Sequence, residues 1–264
     1  MRLFSWLFKR RRKPAYPPSE WWIAPSPDAD TYIGLPNAPV QIYQGNVINF
    51  NNGSSFPDVS KLPQGLAVEV PVIKPWNVVD GVIDVQMTID LALETQKKIE
   101  AAGNYVAWWT MDEPFTGAGM VNIGAHEAIE ATRTWIAAMA STGAQIALIE
   151  AFPHWCIEII NTMARSIPID ALHLDVDVND ARKRKINPRV LQTITQEVPL
   201  CALLWGWDER SPKHFIDTAK DLLNYYRDGF GDEWPRRLIV QSWMRGLPTS
   251  ILVDVYQHAR KELL

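Results

Sequence analysis

The stretch YVAWWTMDEP, residues 105–114, decides how this chain is read. Tyr105, Val106, Ala107, Trp108 and Trp109 favour extended backbone, and Pro114 cannot donate to a ladder. The run therefore predicts a buried strand that stops at two adjacent carboxylates, Asp112 and Glu113. Working outward, further extended apolar segments fall at about 40–49, 66–73, 144–150, 170–176, 199–206 and 237–243, with a short one near Trp21 to Ala24. Runs such as QIALIEAF and PLCALLWG are apolar throughout, as strands covered on both faces are.

Helical periodicity fills most of the gaps, at 84–102, 120–142, 154–166, 187–197, 213–228 and 248–263, and Gly103 supplies a stop for the first. Strands alternating with helices predict an α/β fold with a parallel sheet. The strand count approaches the eight of a (β/α)8 TIM-type barrel with irregular or incomplete first units; an open doubly wound sheet is the competitor. Polar or aromatic groups recur where strands end: Glu69, Asp112 and Glu113, Glu150, Asp175 and Asp177, Asp208 and Glu209, Gln241 and Trp243. Only a closed ring brings all those ends to one cleft, which favours the barrel.

The 264 residues suit one barrel domain, expected over residues 20–264 behind a basic, proline-rich tail at 1–19. A net charge of -4 argues against a general nucleic-acid partner, because phosphate neutralisation needs a basic surface. Residues 1–13, MRLFSWLFKRRRK, place a short apolar patch before the basic run, the reverse of a secretory signal and too short to span a bilayer. This segment fits a plain tail, peripheral membrane contact or protein docking, and the expected location is cytoplasmic or released, including virion-associated. Cys156 and Cys201 are too few for a disulfide framework or a zinc site.

No G-x-G-x-x-G, phosphate loop or G-x-S-x-G elbow is present, and the histidines lack HExxH spacing, so neither a cofactor nor a metal is expected. His173, Asp175 and Asp177 alternate with apolar residues and share one strand face; a shared metal is a minor reading beside sugar binding or mutual hydrogen bonding. The pair Gly117 and Gly119 reads as turn-forming rather than anion-binding, and Arg182 to Lys185 as a solvated stretch. Twelve tryptophans are a heavy aromatic load, and indole faces either pack a core or stack on sugar rings.

Paired carboxylates among aromatics suit glycosidic bond cleavage, which needs a proton donor at the leaving oxygen and negative charge beside an oxocarbenium-like transition state. Counting back from 237–243 as the eighth strand makes 104–111 the fourth and 199–206 the seventh. The fourth then ends Asp112-Glu113-Pro114 and the seventh Trp207-Asp208-Glu209. In this the chain resembles the clan A (β/α)8-barrel glycoside hydrolases, which carry an acid/base Glu in Asn-Glu-Pro after strand four and a nucleophile Glu at strand seven. Asp in place of Asn at position 112 looks more like the substrate-assisted N-acetyl-β-hexosaminidases, in which the Glu protonates the leaving oxygen and the Asp orients the acetamido group. The resemblance rests on residues at strand ends and extends over no continuous stretch.

It implies a retaining glycoside hydrolase acting on a polysaccharide or oligosaccharide. Glu113 is then the general acid/base, with Glu209 or Asp112 as the second carboxylate. Trp109, Glu150, His173, Asp175, Asp177, Trp205, Trp207, Asp208, Gln241 and Trp243 are expected to bind substrate. The alternative is a non-catalytic carbohydrate-binding or assembly protein on the same scaffold.

Overall fold

The computed structural model describes residues 13–25, 34–43, 59–72, 76–153, 165, 167–195, 198–205, 211–242 and 247–264. Eight strands, all parallel, close into a barrel: β1 (Glu20–Ala24), β2 (Val40–Gln41), β3 (Ala67–Val72), β4 (Tyr105–Asp112), β5 (Gln145–Phe152), β6 (Ala171–Val176), β7 (Leu200–Trp205) and β8 (Arg237–Gln241). The ring closes where Trp22 of β1 pairs with Ile239 of β8. The open-sheet alternative is thereby excluded, and the eight strands coincide with the eight segments expected from sequence. The part of the second segment beyond Tyr43 lies outside the described residues.

Helices follow the strands: α1 (Val85–Ala101), α2 (Pro114–Met120), α3 (Ala125–Ala140), α4 (Val178–Lys183), α5 (Val190–Thr195), α6 (Pro212–Phe230) and α7 (Thr249–Leu263). Local chemistry sets their limits. The Asp84 side chain accepts from the Met87 N–H to start α1, and Gly103, at φ 81°, takes the left-handed turn that ends it. The helix expected at 120–142 is α3, which begins only at Ala125 because Asn122 turns at φ 58° and Gly124 stands at the N-cap; the preceding short α2 was not expected. The one expected at 154–166 lies almost wholly outside the described residues.

Two further features were not anticipated. A two-stranded antiparallel ribbon pairs Val78–Val79 with Val82–Ile83 around Asp80 and Gly81, both at positive φ. Asp-Gly between β-branched pairs is the composition such a tight hairpin requires. Helix α4 is capped by Asp177, whose carboxylate accepts from the Asp180 N–H. Gly117 and Gly119 sit inside α2, so they form no phosphate loop.

Outside the barrel, the sheet is sealed by aromatic side chains. The Tyr226 hydroxyl of α6 donates to the Leu203 carbonyl at 2.7 Å and stacks on Phe230, while Trp21 meets Tyr256 of α7 edge-on. At the bottom, Tyr16 bridges to Glu233 beside the start of β8.

Candidate active site

The inward face of each strand can be traced from the contacts inside the ring. Deep in the barrel, Arg237 Nη2 donates to Glu69 Oε2 at 2.7 Å and lies 2.6 Å from His173 Nε2. Glu69 Oε1 accepts from Thr110 Oγ1 at 2.6 Å and from Gln41 Nε2 at 3.1 Å. The guanidinium lies over the rings of Trp108 and Trp22, 3.9 and 5.0 Å from their centroids. Glu69 was expected at the cleft; instead it is wholly buried in the barrel floor, as is His173.

Charge in this floor is balanced internally. Burial pushes the Glu69 carboxyl up, opposed by Arg237 and by the bonds donated by Thr110 and Gln41. Burial and then the Arg237 charge hold His173 well below the usual imidazole range, so it is neutral. A guanidinium only donates, so His173 Nε2 accepts and its proton sits on Nδ1, which faces Glu69 Oε1 at 3.4 Å. Burial likewise pushes the Cys201 thiol up to about 12. These groups form a neutral plug rather than a substrate cleft.

Side chains on one face of a strand recur every second residue. Two residues beyond Gln41, Thr110 and His173 stand Tyr43, Asp112 and Asp175, and four beyond Arg237 stands Gln241. In a tilted eight-stranded barrel, side chains at one height come from alternate strands. Tyr43, Asp112, Asp175 and Gln241 belong to β2, β4, β6 and β8 or their immediate continuation, so they form one polar tier at the C-terminal mouth. Ala24, Ile149 and Leu203, from the odd strands, separate it from the floor, and Trp205 faces inward one step above it. Electrostatics agrees with this placement. Burial, then Asp112 and Asp175, and more weakly Glu69 and Glu113, push the Tyr43 phenol well above its ordinary value. Tyr43 is thus a neutral hydroxyl among carboxylates.

Glu113 follows directly. Its backbone turns left-handed, at φ 47° and ψ 55°, between β4 and α2, and its side chain is buried without capping the helix. Its N–H bonds the Ile149 carbonyl at 2.9 Å, which extends the β4 to β5 ladder past Asp112.

Other expected site residues go elsewhere. Trp109 faces outward, because its neighbour Trp108 takes the inward position; its indole N–H donates to Thr142 Oγ1 at 3.0 Å, and it is fully buried away from the mouth. Glu150 also points outward, and its Oε1 accepts from the Phe115 N–H at 3.2 Å at the start of α2. Asp177 caps α4. The shared-metal reading of His173, Asp175 and Asp177 fails because the first is bound into the floor and the last to a helix end. Trp207, Asp208, Glu209 and Trp243 lie outside the described residues.

Sequence reasoning missed Tyr43. The signal was present, since Gln41 and Tyr43 alternate with Val40 and Ile42, but a two-residue strand gives too short a period to read.

No family model matches the chain, and no curated protein matches it in sequence. Among solved structures it is similar to a GH30 endoxylanase from Clostridium papyrosolvens C71, at 12% identity and TM-score 0.56, over 94% of this chain and 73% of that one. Aspergillus fumigatus Ega3 in complex with galactosamine matches at 10% identity and TM-score 0.51, over 90% and 96%. Bacillus subtilis HMG-CoA lyase matches at 9% identity and TM-score 0.50, over 95% of each chain. The chain is a (β/α)8 barrel. Identities this low establish the fold, which hydrolases and lyases share, and nothing finer.

Proposed function

We propose that this barrel is a glycoside hydrolase that cleaves an oligosaccharide or polysaccharide with retention, using carboxylate acid/base chemistry. The observation that carries the proposal is the mouth tier, which sets Asp112 and Asp175 beside the neutral hydroxyl of Tyr43, with Glu113 at the adjoining bend. Carboxyl groups about 5 to 5.5 Å apart cleave glycosides with retention and about 6.5 to 9.5 Å apart with inversion, so the separation of Glu113 from its partner decides the stereochemical outcome.

Glu113 is assigned as the proton donor to the leaving oxygen. Its partner is a carboxylate of the tier, Asp112 or Asp175, or else Glu209, which follows β7 in sequence and lies outside the described residues. Attack on the anomeric carbon by that carboxylate forms the glycosyl-enzyme and releases the protonated leaving group; Glu113, now ionised, deprotonates the incoming water. If the substrate carries an acetamido group, that group attacks instead and Asp112 orients it. Tyr43 presents a neutral hydroxyl near the two aspartates for a substrate hydroxyl to meet, and the buried face of Trp205 suits a sugar ring. The endoxylanase and the galactosamine-bound barrel support the reading as carbohydrate-handling proteins on the same scaffold.

Hydrolysis of aryl glycosides and polysaccharides, with and without N-acetyl groups, tests this in the wild type beside Glu113→Gln, Asp112→Asn and Asp175→Asn. Activity lost in folded Glu113→Gln supports the assignment, and the aspartate variant that falls with it identifies the partner. Turnover unchanged in all three variants would sink it, and sugar binding without turnover in the wild type would favour a carbohydrate-binding protein.

A further inference from the structure

Glu113 is one of four non-glycine residues at positive φ among those described; the others, Asp80, Asn122 and Lys185, lie in turns away from the inward face of the barrel. A branched or long side chain pays about 1 to 3 kcal/mol for such backbone, so the neighbouring structure must hold it there. Two buried side chains outside the barrel do so. Trp76, just ahead of the ribbon, donates its indole N–H to the Pro114 carbonyl at 2.8 Å. Glu150, on the outward face of β5, accepts from the Phe115 N–H. Together with the Glu113 N–H to Ile149 bond and the Gly117 N–H to Glu113 carbonyl bond at 2.7 Å, they fix the backbone on each side of Glu113.

We infer that Trp76 and Glu150 are positioning residues that clamp the 112–115 bend and aim Glu113 at the mouth. This rests on the proposed catalytic role of Glu113. Glu150 thus acts through an accepted backbone bond rather than on substrate, and Trp76 ties the loop after β3 to the end of β4. Three consecutive residues, 113 to 115, are each bonded outside their own helix, Glu113 and Phe115 to β5 and Pro114 to Trp76, which a helix start needing only one cap does not require.

The clamp has a readout that does not depend on knowing the substrate. Amide hydrogen exchange is measured across residues 113–120 in the full chain for the wild type, Trp76→Phe, Glu150→Gln and Glu150→Leu. Loss of a buried bond is expected to speed exchange there about tenfold or more in Trp76→Phe and Glu150→Leu. Glu150→Gln keeps an acceptor oxygen and should match the wild type.

On the best substrate found, Trp76→Phe and Glu150→Leu should lower kcat about 10- to 100-fold with KM within roughly twofold. Glu150→Gln should retain kcat. Wild-type exchange in Trp76→Phe overturns the clamp, and so does a Glu150→Gln protein as inactive as Glu113→Gln, since that would make Glu150 a reacting group. Faster exchange in a protein with no glycosidase activity upholds the clamp while the hydrolase reading fails.

Discussion

Glu69, Thr110, His173 and Arg237 at the barrel floor, and Tyr43, Asp112, Asp175 and Gln241 at its mouth, stand on the same strand faces a few residues apart. In the floor, the carboxylate meets a guanidinium and two further donors, and the imidazole is neutral beneath that guanidinium. In the mouth, two aspartates share a tier with neutral partners, and the buried Gln241 amide finds no hydrogen-bond partner among the described residues on either its oxygen or its nitrogen. Buried amides are ordinarily bonded, and an orphan costs about 1 to 3 kcal/mol. The comparison teaches that the same strand faces carry two kinds of polar layer, a floor built on a buried ion pair and a mouth where carboxylates surround a neutral phenol.

The sharpest way to break this contrast is to remove charge from each region in turn. At the mouth, Glu113→Gln should lower kcat/KM by about a thousandfold or more, with the melting temperature within a few degrees of wild type. At the floor, Arg237→Met should leave Glu69 buried without its cation and cost about 3 to 5 kcal/mol, seen in urea unfolding. A floor variant that merely loses activity, or a mouth variant that unfolds, would invert the assignment.

A pH series sharpens it further. The folded His173 pKa lies below its unfolded value near 6.5, so the unfolded chain takes up a proton as pH falls below about 6.5 while the folded chain does not. Stability from this group is therefore complete above about pH 6.5 and declines below it, by up to about 1.4 kcal/mol per pH unit. Glu69, with its folded pKa raised, acts with the opposite sign above its unfolded value. Wild type should accordingly lose more stability than His173→Asn between pH 6.5 and 5, and equal slopes would show that His173 titrates freely.

The smallest effect belongs to Gln241. Replacing it with methionine removes the orphan amide at similar volume and should raise the melting temperature by about 2 to 4 °C. The same change should weaken sugar binding, as measured by calorimetry. A destabilised Gln241→Met protein would mean that the amide is satisfied in solution.

Several of these residues were legible in advance and others were not, for reasons that differ. Asp112 and Glu113 stood out because a proline and two carboxylates end an apolar run, which is a local event. Gln241 and Asp175 were found the same way. Trp109 was misplaced because two adjacent tryptophans offer no local clue to which faces inward; pairing of Glu69 with Trp108, across an irregular register after Val68, settles it. Glu150 looked like a strand-end acid, yet parity turns it outward to α2.

The sequence by itself determined the order of elements, the strand count and the acidic end of β4, because strand propensity, helical periodicity and helix stops act over a few residues. Only the tertiary structure decided which of those polar groups face one another. That depends on how eight strands register around a closed ring. Arg237 reaches Glu69 across 168 positions of chain, and no local pattern encodes that meeting.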